Sequence, residues 1–286
     1  MSKKPQATYL VGDIHGCYQE WLSLEEKIYK QAAHRGQSPL IVSVGDLIDR
    51  GPDSAKVVAH FGAGVRAGTH AVVMGNHELM MLECLWEWAP WNFDSTGWPA
   101  WLNNYRKTWE AKEGFSRWLP WEDYRVFARS LWLSQGGYQT LSSYGCDPHQ
   151  PGTWLIPPET LQFLLHLPYV WENEEVIVTH ALARPQDLKL IQELGPLRDK
   201  HAGAAQAFLQ HSHSLIWNRT PPRVSPDSKN RLHVSGHTPV SRLKRWKQAQ
   251  CLQIDTACVY GSRLSTWCVE SQERLSVKAA RNYLHP

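Results

Sequence analysis

Residues 8–16 carry the stretch TYLVGDIHG, in which an apolar run leads into polar residues flanked by glycine. Its first four residues form a short run of β-branched and apolar side chains, which predicts a buried strand. The strand ends at a turn in which glycines flank Asp13 and His15. Residues i and i+2 of an extended segment point the same way, so these two side chains can hold one cation.

The same arrangement recurs four times. Each time a short apolar run ends at polar residues: 40–44 before Asp46, 71–74 before Asn76 and His77, 176–179 before His180, and 232–235 before His237. Ligands of open α/β sheets bind beyond the carboxyl ends of the strands. Five strand ends carrying Asp, Asn or His therefore predict one shared site.

The segments between these strands have helical spacing. Apolar residues fall on one face between residues 18 and 32, and Gly36 is a plausible stop. Residues 54–61 and 158–167 have the same character, so the predicted fold class is α/β. Two alternating segments near the end, 252–255 and 264–269, predict a hairpin of strands.

The polar residues at the strand ends form a mixed set of metal ligands. Asp46 lies in GDLIDRG at 45–51, and Asn76 and His77 lie in GNHE at 75–78. Carboxylate, amide and imidazole together suit Mn, Fe or Zn better than Ca or Mg, which prefer oxygen shells. Two metals that share a carboxylate can clamp the attacking and leaving oxygens of a displacement.

The blocks at 12–16, 45–51 and 75–78 resemble the three signature motifs of the calcineurin-like metallophosphoesterases, in order and in separation. They are most similar to the phosphoprotein phosphatase branch, with its bacterial serine/threonine phosphatase and diadenosine tetraphosphatase-like relatives. Residues 179–180 and 236–238 resemble the later histidine motifs. The resemblance implies a sandwich of two β-sheets flanked by helices, in a single domain over residues 1–286.

The resemblance also implies a dinuclear metal centre, with manganese the leading candidate and iron or zinc as alternatives. The first metal would be held by Asp13, His15 and Asp46, and the second by Asp46, Asn76, His180 and His237. A hydroxide bridging the two metals would attack phosphorus in line.

Four further residues receive catalytic roles from the resemblance. His77 would protonate the leaving oxygen and Asp49 would orient its imidazole. Arg50 would hold phosphate oxygens through its planar fork. Arg219 would be a second phosphate-binding arginine, because residues 215–219, LIWNR, resemble a Trp-x-Arg segment of bacterial members. Histidines outside the motifs, His60 among them, are given no role.

Two departures from the family pattern concern the backbone. Ala181 and Ala257 stand where family members often have glycine. Neither position is a ligand, so the expected consequence is a local change of backbone geometry and an intact metal site.

Residues 84–137 carry nine of the fifteen tryptophans of the chain: Trp86, Trp88, Trp91, Trp98, Trp101, Trp109, Trp118, Trp121 and Trp132. This Trp-rich segment predicts a mainly helical insertion, or a cap beside the site. Tryptophans that pack a small core of their own are the more common case, compared with tryptophans that stack a ligand.

Two substrate classes share this machinery. The favoured prediction is a phosphomonoesterase acting on phosphorylated protein or small phosphoesters. The alternative is hydrolysis of diadenosine tetraphosphate or related dinucleoside polyphosphates. Symmetrical tetraphosphatases usually lack the acid found here at Asp49 and carry aspartate at the position of Glu78, so both residues favour the phosphatase. The tryptophans favour the nucleotide hydrolase, because an aromatic platform could stack a base. A binding module without activity predicts a broken ligand position, and every position is intact.

Composition bounds the remaining possibilities. The net charge of +3 is too small to indicate nucleic acid as a partner. No apolar run approaches the roughly 20 residues that cross a membrane, and the polar first residues predict a cytoplasmic protein. Six scattered cysteines predict reduced thiols.

Overall fold

The computed structural model describes residues 5–93, 121–195 and 202–284. These residues form ten strands: β1 Gln6–Val11, β2 Ser38–Ser43, β3 His70–Val72, β4 Trp171–Glu172, β5 Val176–Val178, β6 Leu232–Ser235, β7 Lys244–Trp246, β8 Cys251–Gln253, β9 Arg263–Cys268 and β10 Arg274–Lys278. The strands belong to two five-stranded sheets, with the orders β10-β9-β1-β2-β3 and β4-β5-β6-β8-β7. Strands β1, β2 and β3 are parallel, as are β5, β6 and β8, while β9, β10, β4 and β7 run antiparallel to their neighbours.

The two sheets pack face to face through alternate residues of their strands. Leu10 and Val42 of the first sheet share an apolar cluster with Val178 and Val234 of the second. Neighbouring residues such as Tyr9 point the other way, into a larger cluster under the helices. This period of two is what a strand buried on both faces produces. The predicted sandwich of two sheets flanked by helices is confirmed.

The helices lie in the connections, as the sequence spacing predicts. They are α1 Tyr18–His34, α2 Ser54–Arg66, α3 Asn76–Trp88, α4 Trp121–Trp132, α5 Tyr138–Ser143, α6 Pro158–Leu165, α7 Pro185–Leu194 and α8 Ala202–Trp217. Helix α1 buries Trp21, Leu24 and Ile28, which lie on one face. It ends before Gly36, whose φ of 66° is the left-handed conformation that stops a helix.

The predicted hairpin near the end of the chain is wrong. Strand β8 pairs with β6 and β7 in the second sheet, whereas β9 pairs with β1 and β10 in the first. The chain crosses between the sheets at Thr256, whose hydroxyl donates to Arg263 O at 2.7 Å. Alternation identified two half-buried strands correctly, but it carries no information about which strand is the partner. The crossing places Asp255 and Ala257 beside the other strand-end loops.

The Trp-rich segment is described only in part. Trp86 and Trp88 belong to α3, and α4 packs against that helix through a bond of 3.2 Å from Trp88 Nε1 to Arg125 O. Trp132 is buried. Trp98, Trp101, Trp109 and Trp118 lie outside the described residues.

Two further predictions from composition can be compared with the structure. All six cysteines are buried and none is in a disulfide. In the described parts of the chain, we find no helix with the length and apolarity needed to cross a membrane.

Candidate metal centre

The predicted ligands converge at the carboxyl ends of the parallel strands. Asp13 follows β1, Asp46 follows β2, His180 follows β5 and His237 follows β6, while Asn76 opens α3 just after β3. All of these side chains are buried, and so is His15. The polar residues at the strand ends therefore lie together in one buried cluster.

The loops that carry these residues have an unusual backbone. Asp46, Asp49, Arg50 and His237 have φ values of 52°, 73°, 71° and 68°, and His15 has one of 49°. A residue other than glycine in this region costs about 1–2 kcal/mol. Hydrogen bonds between the loops offset that cost, such as the 2.8 Å bond from His15 N to Asp46 O. Strain of this kind, gathered in one place, is typical of a functional site.

Asp46 lies at the centre of the cluster. Its Oδ2 is 3.5 Å from His15 Nε2 and 3.9 Å from His77 Nε2, and its Oδ1 is 3.3 Å from His180 Nε2. Ligand atoms of His15, Asp46 and His77 lie within 4.8 Å of one another, and so do those of Asp46, His180 and His237. One carboxylate shared by two groups of histidines is the arrangement that a bridging ligand needs.

The tautomers of His15 and His180 indicate what kind of group can lie between these imidazoles and Asp46. His15 Nδ1 lies 2.8 Å from Ile48 O, and His180 Nδ1 lies 2.7 Å from Val44 O. A carbonyl only accepts, so each Nδ1 carries a proton, and each Nε2 presents a lone pair when the imidazole is neutral. Metal-binding histidines are oriented by this type of outer bond.

When His180 is neutral, the lone pair of its Nε2 therefore faces oxygen atoms with no proton between them. His180 Nε2 faces Asp46 and also Asn76 Oδ1, at 2.9 Å, while Asn76 Oδ1 is 2.8 Å from His237 Nδ1. His237 Nε2 is buried, and no hydrogen-bond partner is found for it in the described chain. A cation satisfies such a set, because it accepts electron pairs from nitrogen and oxygen alike. The residues fit a pair of divalent metal ions.

Charge interactions in the cluster are strong. Burial raises the pKa of Asp13 well above its usual range, and the nearby carboxylate of Asp255 adds to the effect. Burial acts on Asp46 in the same direction, but the imidazoles of His180 and His77 outweigh it and hold the pKa of Asp46 well below its usual range. Burial raises the pKa of Asp255 to about 6. Closely packed carboxylates of this kind are stabilised by bound positive charge.

The surroundings shift the pKa values of two imidazoles in opposite directions. Burial, together with the neighbouring His180, lowers the pKa of His237 to about 3. Burial also acts to lower the pKa of His180, but the charge of Asp46 dominates and raises it to about 9. His237 is thus held neutral and available as a ligand.

His77 and Asp49 form a buried pair beside the cluster. His77 Nδ1 lies 2.6 Å from Asp49 Oδ2. Asp49 also accepts from Thr140 Oγ1 at 2.6 Å and from Trp132 Nε1 at 3.1 Å. Burial raises the pKa of Asp49, against the opposing effect of His77. The carboxylate is therefore fixed in position, and it fixes the imidazole in turn.

Sequence reasoning missed several residues that shape the site. Trp132 was expected to pack the Trp-rich segment, and Thr140 carried no signal. Glu78 was used only to compare substrates, yet its buried carboxylate accepts the backbone N–H groups of Asp46, Leu47 and Gly75 at 3.0, 2.7 and 3.0 Å. Burial raises the pKa of Glu78 to about 7, helped by the charge of Asp46. The position of Glu78, two residues after Asn76, was the one sign in the sequence that it lies at the site.

The two predicted arginines are placed differently. Arg50 Nη1 lies 2.8 Å from His15 Nε2, and its Nη2 donates to Gln135 Oε1 at 3.3 Å. A cation on His15 would use the same lone pair, so the two contacts exclude each other. Arg219 is exposed, and its positive charge contributes to the low pKa of His237.

Ala257 shows how the chain tolerates a departure from the family pattern. Its φ is 61°, so alanine occupies a left-handed position where glycine is usual. Its N–H donates to Asp255 Oδ1 at 2.9 Å. Ala181 is buried, and its N–H donates to Leu215 O at 2.6 Å.

Comparison with known proteins settles the family. Residues 8–253 match the family model of the calcineurin-like phosphoesterases. The chain belongs to this family. The match includes every residue that the motifs place at the metal centre, and the predicted family resemblance is confirmed.

Curated relatives match a shorter part of the calcineurin-like chain. "Serine/threonine-protein phosphatase 1" of Salmonella typhimurium is 42% identical over 82 residues, which is 29% of this chain and 34% of that protein. "Bis(5'-nucleosyl)-tetraphosphatase, symmetrical" of Erwinia tasmaniensis is 42% identical over 78 residues, 27% of this chain and 26% of that protein. The chain thus matches about a third or less of the length of these relatives.

Solved structures of the same architecture match nearly the whole chain. The cold-active protein-tyrosine phosphatase of a psychrophilic Shewanella species has a TM-score of 0.53 at 13% identity, covering 96% of this chain and 82% of that one. At this level of identity the likeness establishes the fold only. It agrees with the two-sheet sandwich described above.

Proposed function

We propose that this calcineurin-like phosphoesterase is a metal-dependent phosphatase that hydrolyses phosphate monoesters. The observation that carries the proposal is the buried His77–Asp49 pair, 2.6 Å apart, directly beside the ligands that share Asp46. A proton donor and a metal-ligand cluster in contact are the two requirements for expelling an alkoxide from a phosphate ester.

The ligands proposed for two metal ions are Asp13, His15, Asp46, Asn76, His180 and His237. A bound metal pair supplies charge stabilisation at phosphorus and a nucleophile at neutral pH. Manganese is our proposed metal, with iron or zinc as alternatives, because all three accept mixed nitrogen and oxygen ligands.

His77 is proposed to deliver the proton from Nε2 to the leaving oxygen. Its Nδ1 faces Asp49, so the other ring nitrogen is the one that points toward the cluster, 3.9 Å from Asp46 Oδ2. Asp49 acts as a positioning residue, since Thr140 and Trp132 hold both of its oxygens. A fixed imidazole keeps its proton in line with the leaving group.

Arg50 is proposed to bind the phosphate. Its guanidinium reaches the cluster at His15, and a phosphate can replace the neutral imidazole as its partner. Tyr260 lies under the guanidinium at 5.7 Å and limits where it can swing. Arg219 is exposed at the rim and is proposed to bind the same phosphate from a second side.

A phosphorylated protein or small phosphoester is the substrate class that we favour. The acid at Asp49 supports it, because the imidazole that needs an orienting carboxylate serves poor leaving groups such as serine alkoxide. Diadenosine tetraphosphate hydrolysis is the second candidate, and the similarity to the tetraphosphatase of Erwinia tasmaniensis supports it. A cap role for residues 84–137 and a cytoplasmic location stay predictions.

The test compares steady-state rates of one manganese-loaded preparation on a phosphoserine peptide and on diadenosine tetraphosphate. We expect a higher kcat/KM with the peptide. A higher kcat/KM with the dinucleotide would overturn the substrate class and keep the metal mechanism. Inactivity toward both, and toward p-nitrophenyl phosphate, would support a binding module without activity.

A further inference from the structure

A second cluster of histidine and carboxylate lies away from the residues assigned above. Glu25 of α1, His60 of α2 and His70 of β3 place three ligand atoms within 4.8 Å of one another. Glu25 Oε1 lies 3.0 Å from His60 Nε2 and 3.5 Å from His70 Nε2. Two other groups contain Asp46, namely His15, Asp46 and His77, and Asp46, His180 and His237; we call them the Asp46-centred groups. The Glu25 cluster shares no residue with them.

Thr69 orients the imidazole of His70. Thr69 Oγ1 lies 2.9 Å from His70 Nδ1 and 3.2 Å from Gly64 O, to which it can donate. When the hydroxyl donates to Gly64 O, its oxygen accepts from Nδ1, and Nδ1 then carries the one ring proton of a neutral imidazole. In that tautomer, His70 Nε2 presents a lone pair on the side of Glu25, which is the form that can bind a metal ion.

This contact is unfavourable without a cation. The side chain of His70 is 3% exposed, and its buried Nε2 has no hydrogen-bond partner among the residues described. In the tautomer with the proton on Nδ1, a lone pair faces a carboxylate oxygen at 3.5 Å, and a buried polar atom without a partner destabilises the fold. A metal ion between them would bind both the imidazole nitrogen and the carboxylate oxygen.

The spacing suits a tetrahedral ion. Zinc bonds of about 2.0–2.1 Å to nitrogen and oxygen place neighbouring ligand atoms about 3.3 Å apart. The observed separations of 3.0 and 3.5 Å lie on either side of that value. The side chains of His60 and Glu25 are 23% and 15% exposed, so water can reach a fourth position.

The surroundings also suit a bound ion. Tyr18 OH lies 3.4 Å from His60 Nδ1, and Thr69 holds His70, so each imidazole has an outer partner that orients it. The indole of Trp21 meets both imidazoles edge to face, at 5.7 and 6.0 Å between centroids. Such an apolar wall lowers the local dielectric and strengthens metal bonds.

We propose that Glu25, His60 and His70 bind a single zinc ion that joins α1, α2 and β3. Each ligand comes from a different element, so the ion would cross-link the helical layer to the edge of the first sheet. This site does not depend on the proposed phosphatase activity.

The test measures zinc bound per chain after chelation, reloading and dialysis against buffered free zinc. We expect wild type to bind one equivalent more than His70→Gln, whether or not the Asp46-centred groups are filled. His166→Gln is the matched control, because His166 is exposed and outside both centres, and it should bind as much as wild type. Equal binding by wild type and His70→Gln would overturn the proposal.

A second measurement separates lost binding from lost folding. Zinc should raise the melting temperature of the intact protein more than that of Glu25→Gln or His60→Gln, each of which changes a partly exposed ligand. Co²⁺ should give the visible d–d bands of a tetrahedral site in wild type and weaker bands in each variant. Bands and melting shifts that are unchanged in folded variants would show that His70 is balanced by a proton instead of a metal ion.

Discussion

The Asp46-centred groups and the Glu25 cluster both combine histidine with a carboxylate, but they differ in the backbone that carries these side chains. The first stands on loops at strand ends, where His15, Asp46 and His237 have positive φ. The second stands on two helices and a strand, and Glu25 and His60 have ordinary helical geometry. Strained loops can bring many ligands to one point and leave room for substrate, whereas regular elements supply few ligands and gain stability from an ion.

Replacing Asp46 should separate the two centres most sharply. Asp46→Asn removes the charge that faces three imidazoles, so both predicted metals lose a ligand. We expect kcat/KM to fall by more than about 100-fold, the loss typical when only an outer partner of a metal ligand is removed. Metal analysis should show depletion of the Asp46-centred groups and retention of the equivalent at Glu25.

Asp123→Asn is the control for that change, because Asp123 is exposed on α4 and loses the same charge. It should retain wild-type kcat/KM. Near-normal turnover by Asp46→Asn would eliminate the shared-carboxylate centre, and loss of all bound metal would mean that the two clusters are not independent.

Replacing His77 should act on chemistry and leave both metal sites filled. His77→Asn removes the proposed proton donor, so we expect kcat to fall about 100- to 10,000-fold with an alkyl phosphate. The fall should be smaller with p-nitrophenyl phosphate, since an acidic phenol leaves without a proton. Equal losses on the two substrates would contradict the general-acid role.

Asp49→Asn tests the positioning role in the same assay. Loss of the carboxylate should lower kcat on the alkyl phosphate by less than His77→Asn does, and it should shift the acidic or basic limb of the pH–rate profile. A purely structural role would lower the amount of folded enzyme and leave the shape of that profile unchanged.

These two centres also differ in how far the sequence predicts them. The residues around Asp46 follow strand ends within recognisable blocks, so the sequence predicts that Asp13, Asn76 and His237 lie together, and the structure brings them into contact. Glu25, His60 and His70 belong to no short motif and meet only because α1 and α2 pack on the same face of the first sheet. Sequence spacing carries no information about such a meeting.

The fold shows the same limit. Short apolar runs predicted the strands and their polar ends, because burial on both faces restricts composition. The partner of β9 was mispredicted, since its alternation is equally satisfied beside β8 or beside β1. Trp132 was assigned to the Trp-rich segment alone, although its indole N–H bonds Asp49. Contacts of this kind depend on tertiary packing.

Two glycines of α2 test the geometry of the Glu25 cluster. A Cβ on Gly64 would overlap the imidazole of His70, whereas a Cβ on Gly62 would meet its nearest neighbour, Arg66 Nη1, at 3.5 Å. Gly62→Ala should stabilise the helix by about 0.5–1 kcal/mol. Gly64→Ala should destabilise the protein by about 1–3 kcal/mol through overpacking.

Chemical unfolding of both variants, with zinc and with chelator, checks this prediction. Zinc should stabilise Gly62→Ala as it does wild type, and it should stabilise Gly64→Ala less because His70 has been displaced. Equal stability of the two variants would mean that His70 does not pack against α2 as described.

The smallest effect is expected from the charge of Glu25 in metal-free protein. Burial raises the pKa of Glu25, but the imidazoles of His60 and His70 outweigh it and lower that pKa to about 2, from an ordinary value of 4.5. A carboxylate with a lowered pKa stabilises the fold fully above its ordinary pKa, and the contribution is lost as pH falls toward the folded-state pKa. Glu25→Gln should therefore cost about 1 kcal/mol at pH 6.

Urea unfolding of wild type and Glu25→Gln between pH 6 and pH 3 measures this difference, which should shrink as the solution becomes more acidic. Glu26→Gln is the matched control, because Glu26 is exposed and pairs with Lys30 in the next turn, a contact that water screens. A difference that widened below pH 4.5 would mean that Glu25 is protonated in the folded protein. It would then be a poor zinc ligand, because a ligand carboxylate must release its proton to bind.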